Sequence, residues 1–575
     1  MRIFDLEGVL LVKPCIDSIR AIRQITRLYK KVELPCSPAR IKRAFERYIS
    51  NDIGISEADQ RPRDYRTFDI VAACLWSRLE LPCDLISESP GKYGPGATAE
   101  HLKPNARFSS LTWYERCEPY FPSDSFLVSR PDRTDILANV TYLDEDNELP
   151  VRVVQVPKTL KTPRTISVEP AHMMLIQQSV CDFLYTVLES GFLGFNSIRF
   201  TDQTVNRELA RVGSLDGQLS TIDLSDASDL VSNQLVGRML KTAPSLRDYV
   251  MAARSRRARL PDGNILVLNK YASMGSALCF PIESMLFLTI VVCALVEHSG
   301  KRPSARLVRD LCKKIAIYGD DIVVPSETAP GVVAMLEDFG LRVNRNKSFF
   351  TGLFRESCGG DYYQGHDVTP VYVRHLNNPG QRLTGTQLVS SISLSNQFYM
   401  KGLWHVAQSI RDHLALCGYK RVPRSTESLG VLSYRSVFLN TNLRWDEERC
   451  AYRVRGYKPH VARDPDPIKD ESGFIRFSLG PTAASDYRRD LRRALRDIAD
   501  VRGLRDCQVV PDRQILLSSH EDRLCRYAWT GNKADLKGAV SDLGVSRDPL
   551  SSVKSHSLST KNGWSPVHCA GITFS

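Results

Sequence analysis

Isoleucine or leucine recurs at every third position from Ile16 through Ile19, Ile22 and Ile25 to Leu28, and Pro35 closes that run before a second pattern starts near Ser37. Apolar residues at this spacing share one face of a helix, so residues 10 to about 85 read as a helical scaffold. Between Ser89 and Ser123 the breakers Pro90-Gly91 and Gly94-Pro95-Gly96 interrupt any period, while Trp113, Tyr114, Tyr120 and Phe121 supply anchors. That combination predicts a long packed loop. From 150 to 375 short β-branched runs alternate with amphipathic stretches, as in a sheet backed by helices. The longest apolar run, Met285 to Val296, lies between Glu283 and Glu297 and has the length of a core helix, too short for a membrane span. Helical patterning returns from about 380. It ends in an arginine-dense stretch (Arg488, Arg489, Arg492, Arg493, Arg496) behind the candidate N-cap Ser485, with Asp490, Asp497 and Asp500 interspersed. A solvated helix face and an RNA track both suit that stretch. The serine-rich segment from Ser551 to Ser575 lacks a period and reads as a loosely held tail. No internal repeat is present.

Size and charge add a partner class. At 575 residues with 42% apolar content, the chain exceeds one hydrophobic core, so several subdomains around a cleft are expected. Lys plus Arg (77) exceeds Asp plus Glu (65) by 12, which favours a polyanionic partner without requiring one. The 15 cysteines are scattered, with no Cys-x-x-Cys pair, so neither a zinc site nor a disulfide framework is indicated and a reducing cytosol is expected. Acids at Asp5 and Glu7 speak against a signal peptide.

The candidate chemistry lies in two acidic segments. Ile315 to Tyr318 and Ile322 to Val324 are β-type runs around Gly319-Asp320-Asp321, a hairpin whose tight turn needs glycine and displays adjacent carboxylates. Alone it is equally an ordinary hydrophilic turn. Upstream, Gln218 to Asp223 is a strand-like run ending in an acid, and Ser225 or Asp226 could cap a following helix that carries Leu230, Val231, Leu235, Val236 and Met239. If the two segments pair, Asp223, Asp320 and Asp321 converge, as two magnesium ions spanning the attacking and leaving oxygens of a phosphoryl transfer require. Lys158, Lys161 and Arg164 form a cationic run suited either to a triphosphate or to a solvated loop. Gly275 and Ser276 precede a helix running to about Val296, where glycine allows close approach of a template or nucleotide.

The order of these segments matches the palm motifs A, B and C of viral RNA polymerases. More narrowly, Thr221 to Asp229, Met274-Gly275-Ser276 with Glu283-Ser284, and Phe354 to Gly359 resemble the replicase subunits of single-stranded RNA bacteriophages, with similarity from about 94 to about 375. The resemblance implies an α+β right-hand polymerase of fingers, palm and thumb, with an antiparallel palm sheet backed by helices and helical N- and C-terminal regions. It implies a helical region 1–90, fingers over 91–210, a palm over 211–353, a palm–thumb junction and thumb over 354–480, and a C-terminal region from 481. It further implies RNA-templated, primer-independent RNA synthesis with two Mg2+ ions (Mn2+ able to substitute) held by Asp223, Asp320 and Asp321. Lys158, Lys161 and Arg164 would line the nucleotide entry, and Lys347 would protonate pyrophosphate.

Ser228 stands where reverse transcriptases carry a bulky aromatic, which leaves room for a ribose 2′-hydroxyl. Whether Ser228 or the following Asp229 meets the ribose stays open. Gly275, Ser276 and Glu283 would complete the nucleotide site. Glu283 agrees with the phage replicases, whereas Cys279 stands where the general motif has threonine. Expected partners are RNA template and product, ribonucleoside triphosphates, the host elongation factors Tu and Ts and a host RNA-binding ribosomal protein, in the cytoplasm of a bacterial host with no membrane. A reverse transcriptase-like polymerase and a non-catalytic RNA-binding protein are the alternatives.

Overall fold

A computed structural model describes residues 3–94, 96–127, 137–158, 162–376, 383–420, 422–425, 431–437, 443–447, 451–461, 482–504, 507 and 558–566. The chain forms two compact units, the first of residues 1–20, 35–369 and 466–511, the second of 21–34, 370–465 and 512–575. Helices and strands are mixed throughout.

The helix α1 (Ile16–Arg27) is divided between the two units after Arg20; it has the expected period, but its Ile22 and Ile25 are exposed. The elements of the first unit that position the site follow in chain order. First come α2 (Pro38–Asp59), with proline at its first turn, and α3 (Arg66–Trp76). The antiparallel strands β1 (Val151–Val156) and β2 (Arg164–Val168) are followed by α4 (Ala171–Glu189) and α5 (Thr204–Asp216). Then come β3 (Leu219–Asp223), the short α6 (Asn233–Met239), and β4 (Arg257–Arg259) with β5 (Ile265–Val267), which extend the β1–β2 sheet in the order β2-β1-β4-β5. The helix α7 (Cys279–Ser299) precedes the hairpin β6 (Ala316–Tyr318) and β7 (Asp321–Pro325), then α8 (Ala329–Asp338) and the hairpin β8 (Phe354–Ser357) and β9 (Gly360–Tyr363).

The sheet that matters for function has the order β3-β7-β6, all antiparallel. Single bridges widen both edges: Ile198 pairs with Ile317 beyond β6, while Thr221 with Phe349 and Leu224 with Val343 lay residues 343–349 along β3. Behind the sheet, α7 is apolar all round and correspondingly buried among neighbours from α3, α4 and α8. It is long and apolar enough to cross a membrane, yet 89% of its most apolar window is buried inside the protein. Leu286 has no exposed surface, and truncation to alanine there would cost about 2–5 kcal/mol.

The aromatic loop is packed as expected, with Trp113, Tyr114 and Phe121 buried and Trp113 Nε1 donating to the Phe121 carbonyl at 3.1 Å. Three local readings need correction. Neither Ser225 nor Asp226 caps a long helix: Asp226 adopts φ 54°, ψ 36°, and the cap is Ser232, whose hydroxyl accepts from Leu235 N–H. Ser485 lies inside the helix Thr482–Val501 and does not precede it. Within the expected tail, Leu558–Pro566 is a strand paired antiparallel with 453–461, in the second unit. The arginine-rich helix is also less available than its composition suggests. Tyr487 donates to the Leu85 carbonyl at 2.9 Å, Arg488 pairs with Asp182, and Arg489 and Arg493 pair with acids of their own helix.

The second unit contains a core of Leu388, Ile392 and Leu414 with Tyr434, and a capping box at Thr384 and Gln387 opens its helix Gly385–Met400.

Candidate active site

Register decides which side chains meet. Every β3 residue from Leu219 to Asp223 faces one on β7, and the last pair is Asp223 with Asp321. Tyr318 faces Asp321 across the β6–β7 turn, so Gly319-Asp320 is a two-residue turn. Gly319 takes φ +61°, and a Cβ there would lie 2.2 Å from Phe280 Cε2, so the turn admits only glycine on both backbone and steric grounds. Three carboxylates thus sit at adjacent strand ends, as the acidic segments predict. Two residues at the start of α5 fasten the hairpin: Gln203 donates to the Tyr318 hydroxyl at 3.0 Å and Asn206 to the Asp321 carbonyl at 3.2 Å.

The carboxylates do not share one environment. Asp223 Oδ1 receives Lys347 Nζ at 3.0 Å, and its Oδ2 receives Asn344 Nδ2 at 2.8 Å. Both donors come from the 343–349 segment along β3. Asp321 Oδ2 accepts from the Cys358 N–H at 3.1 Å, in the β8–β9 turn. Burial and the neighbouring Asp320 and Asp223 charges push Asp321 up to about 7. Burial and Asp223 likewise raise Asp320. Burial opposes the charge of Lys347, but Asp223 outweighs it and lifts the ammonium to about 12.

The corner therefore holds more negative charge than its protein neighbours neutralise, and its donors are hard oxygens, which suits a divalent cation. As placed, no group of three or more His, Cys, Asp or Glu side chains among the described residues forms a ready metal cage. Lys347, Asn344 and the Cys358 amide occupy oxygens that such a cage would use. Donor chemistry fits; the side-chain arrangement is that of a site still held by its own cation.

A second cluster borders the first. Glu283 on α7 approaches the turn, with Oε1 3.2 Å from where a Gly319 Cβ would stand, and burial followed by the Asp320 charge raises it well above the usual carboxylate range. Cys279 Sγ lies 3.8 Å from Glu283 Oε2 and within hydrogen-bonding reach of Ser228. Cys279 therefore links Ser228 to Glu283, two residues expected at the nucleotide site. Asp229 pairs with the fully buried Lys270 Nζ at 3.1 Å, yet its charge also helps raise Glu283 and Cys279, so Ser228 and Asp229 both border the Glu283 corner.

The cations expected at a nucleotide entry are partly seen. Lys158 and Arg164 stand at the loop end of the β1–β2 hairpin, both reaching solvent, Arg164 opposite Val156. Partial desolvation by the surrounding chain, then the charges of Arg164 and Lys347, lower the Lys158 ammonium although its side chain reaches solvent, while Asp320 and Asp223 favour it. Lys161 lies outside the described residues. Gly275 takes φ +133°, and an added Cβ would fall 1.9 Å from the Ser167 carbonyl oxygen. The close approach this glycine permits is to strand β2 of the protein itself. Ser276 accepts from Leu278 N–H at 3.2 Å, and α7 starts only at Cys279.

Asn344 is a site residue that sequence reasoning missed, since an asparagine in a polar loop carries no signal of its own. Arg355, in the Phe354–Gly359 segment that carries the resemblance, is buried and donates to the Leu219, Gly352 and Phe354 carbonyls.

A strand-end carboxylate beside a two-carboxylate hairpin, with cations at its rim, brings together the oxygen donors and positive charges that divalent ions and phosphates favour. Residues 140–416 match the family model for RNA replicase, beta-chain. The RNA-directed RNA polymerase subunit beta of Qbeta virus (strain MX1) is 38% identical over 39% of this chain and 35% of its own length. The beta chains of Escherichia phage MS2 and Enterobacteria phage fr are 39% and 34% identical, over 39% and 51% of this chain and 37% and 47% of their own. The chain thus spans about a third to a half of the length of these relatives. Among solved structures, an insertion-loop deletion mutant of a human picobirnavirus RNA-dependent RNA polymerase aligns over 70% of this chain and 80% of its own, at 10% identity and a TM-score of 0.39.

Proposed function

We propose that the chain is an RNA-directed RNA polymerase, the catalytic subunit of a phage replicase, which copies RNA without a primer by two-metal nucleotidyl transfer. The observation that carries this reading is the register placing Asp223 against Asp321 with Asp320 in the turn between, inside a segment that matches the replicase beta-chain family model. In this reading the architecture is a right hand whose palm contains the β3-β7-β6 sheet.

Asp223 and Asp320 would hold two Mg2+ ions, or Mn2+ in their place, with Asp321 assisting. Bound there, the ions neutralise charge on the attacking and leaving oxygens. The chain's own residues supply position. Lys158, Lys161 and Arg164 receive the triphosphate, Arg164 suited to a bidentate contact and the lysines to point charges. Ser228 and Glu283 face the ribose, Ser228 offering a hydroxyl to its 2′-OH, and Gly275 and Ser276 shape the loop beside it. Lys347 holds its proton firmly while bonded to Asp223, so it can pass that proton to departing pyrophosphate only once Asp223 releases it.

The substrates in this reading are ribonucleoside triphosphates and RNA. The same likeness proposes assembly with elongation factors Tu and Ts and a ribosomal protein in a bacterial cytoplasm, which purification from the producing cell would reveal by what co-purifies. The decisive test is Asp320→Asn in purified protein supplied with an RNA template and either ribo- or deoxyribonucleotides. Synthesis should fall by about a thousandfold or more, about 4 kcal/mol of lost transition-state stabilisation, while RNA binding persists. Substantial synthesis by the variant, or preference for deoxyribonucleotides by the parent, overturns the reading.

A further inference from the structure

The helix α2 lies far from the carboxylates in sequence, yet one of its faces is committed to the loops that carry the nucleotide-facing residues. Arg47, Tyr48, Asn51, Asp52 and Asp59 recur at helical spacing along that face. Arg47 Nε at 2.6 Å and Asn51 Nδ2 at 3.2 Å both donate to Asp226 Oδ2, and Arg342 Nη1 adds a third donor at 2.9 Å. Asp226 is in the left-handed region, φ 54°, three residues after Asp223 and two before Ser228. Aspartate is among the few non-glycine residues that tolerate this region, but the conformation is still less favourable than its alternatives. The convergence of three donors on one carboxylate oxygen opposes its relaxation.

Tyr48, between Arg47 and Asn51 in sequence, reaches the other side of the site. The Tyr48 hydroxyl bonds Ser273 Oγ at 2.9 Å and Ser167 Oγ at 3.2 Å. Ser273 is two residues before Gly275, and Ser167 supplies the carbonyl that Gly275 packs against. Tyr48 thereby ties together both sides of that contact. Its ring also covers the buried Lys270 ammonium at 3.6 Å, and Lys270 pairs with Asp229. Asp52 accepts from the backbone N–H of Asn269 and Lys270 at 3.0 and 3.1 Å, and Asp59 from the Ser232 hydroxyl at 2.7 Å.

We propose that α2 is a positioning element of the nucleotide site, which fixes the Asp226–Asp229 turn and the Ser273–Ser276 loop relative to each other and thereby sets ribose selection. Ser228 belongs to the first of these loops, and Gly275 to the second. A shift of the turn by the unwinding of Asp226 moves Ser228 away from Cys279 and Glu283 without touching Asp320. The inference rests on the polymerase reading above, and its signature is therefore in nucleotide affinity and sugar choice, with the rate at saturation left largely alone.

The test uses the full chain with whatever proteins co-purify with it. Steady-state incorporation of ribo- and 2′-deoxyribonucleotides on an RNA template is compared for the parent, Tyr48→Phe, the double variant Arg47→Ala/Asn51→Ala, and Arg47→Lys as the conservative replacement. The double variant should raise the ribonucleotide KM about tenfold and cut the ribo-to-deoxyribo ratio of kcat/KM about tenfold, with kcat within about threefold of the parent. Arg47→Lys should recover part of both. Tyr48→Phe keeps the ring over Lys270 and loses only the hydroxyl, and a rise of about threefold in KM with reduced sugar discrimination is expected. It decides the matter even where the double variant fails to fold. Unchanged KM and unchanged sugar ratio in Tyr48→Phe and any folded double variant, with only a lower active fraction or Tm, overturn the proposal. A parent that incorporates neither sugar overturns the polymerase reading itself, and this inference with it.

Discussion

The β6–β7 and β8–β9 hairpins meet where the Cys358 amide reaches Asp321, and they treat buried charge in opposite ways. On β8 the Arg355 guanidinium is 1% exposed and is satisfied by carbonyls of the surrounding chain, chiefly Leu219, Gly352 and Phe354. On β7 and its turn, Asp320 and Asp321 repel each other and Asp223, and burial with that repulsion raises both. A buried charge that belongs to the scaffold finds all its partners inside the chain, because an unpaired one would cost several kcal/mol. A charge left in excess at an otherwise well-packed strand end marks a place where something else binds. Arg355 anchors the start of the very strand whose other end carries Asp223, so the satisfied hairpin holds the unsatisfied one in place.

That contrast is sharpest in variants of the two sides. Arg355→Met should cost about 3–5 kcal/mol of stability by stranding the carbonyls it serves, read as a lowered denaturant midpoint, with RNA affinity unchanged in protein that remains folded. A variant of parental stability but weakened RNA binding would instead make Arg355 a grip on RNA and dissolve the comparison. Lys347→Ala should cost about 1 kcal/mol of stability, since Asp223 loses its cation beside two like charges, and cut turnover about a hundredfold, the usual scale for losing a positioned proton donor or charge. Lys347→Arg separates those roles, since arginine keeps the ion pair with Asp223 but gives up its proton poorly. Parental turnover in Lys347→Arg would leave Lys347 as a charge only.

The parts of this site that sequence shows are those set by local rules. Gly319 has to be glycine, β-branched runs flank it, and Asp223 ends a strand, so the β3 and β6–β7 elements and their carboxylates are readable from spacing alone. Ser228 and Glu283 were readable only through resemblance. What was hidden depends on residues far apart in sequence. The αL turn at Asp226 exists because Arg47, Asn51 and Arg342 converge on it, and no local pattern announces that. Ser232 caps α6 in place of Ser225 or Asp226 for the same reason: the chain from 225 to 231 is shaped by α2 and by the 342–344 segment. Asn344 gains meaning only when residues 343–349 lie along β3. An apolar stripe such as Ile22 and Ile25 on α1 shows the converse, a strong local pattern whose side chains stay exposed.

The smallest expected effect tests the excess charge itself. Asp321 has its folded pKa raised to about 7, above the unfolded value, so the stability it contributes is complete at low pH and is lost as pH rises through about 7. Between about pH 6 and pH 8, in chelator, the unfolding free energy of the parent should fall by about 1 kcal/mol more than that of Asp321→Asn. The comparison with the variant is needed because burial also pushes Glu169 up to about 7, and its titration is common to both proteins. Divalent cations bind the ionised carboxylate, so adding Mg2+ should raise the parent Tm more at the higher pH than at the lower, and should flatten the difference between parent and variant. Identical pH slopes in parent and Asp321→Asn would mean that Asp321 ionises as freely as an exposed carboxylate. The hairpin would then carry no stored repulsion for a cation to relieve, and the distinction drawn between it and the Arg355 hairpin would fail.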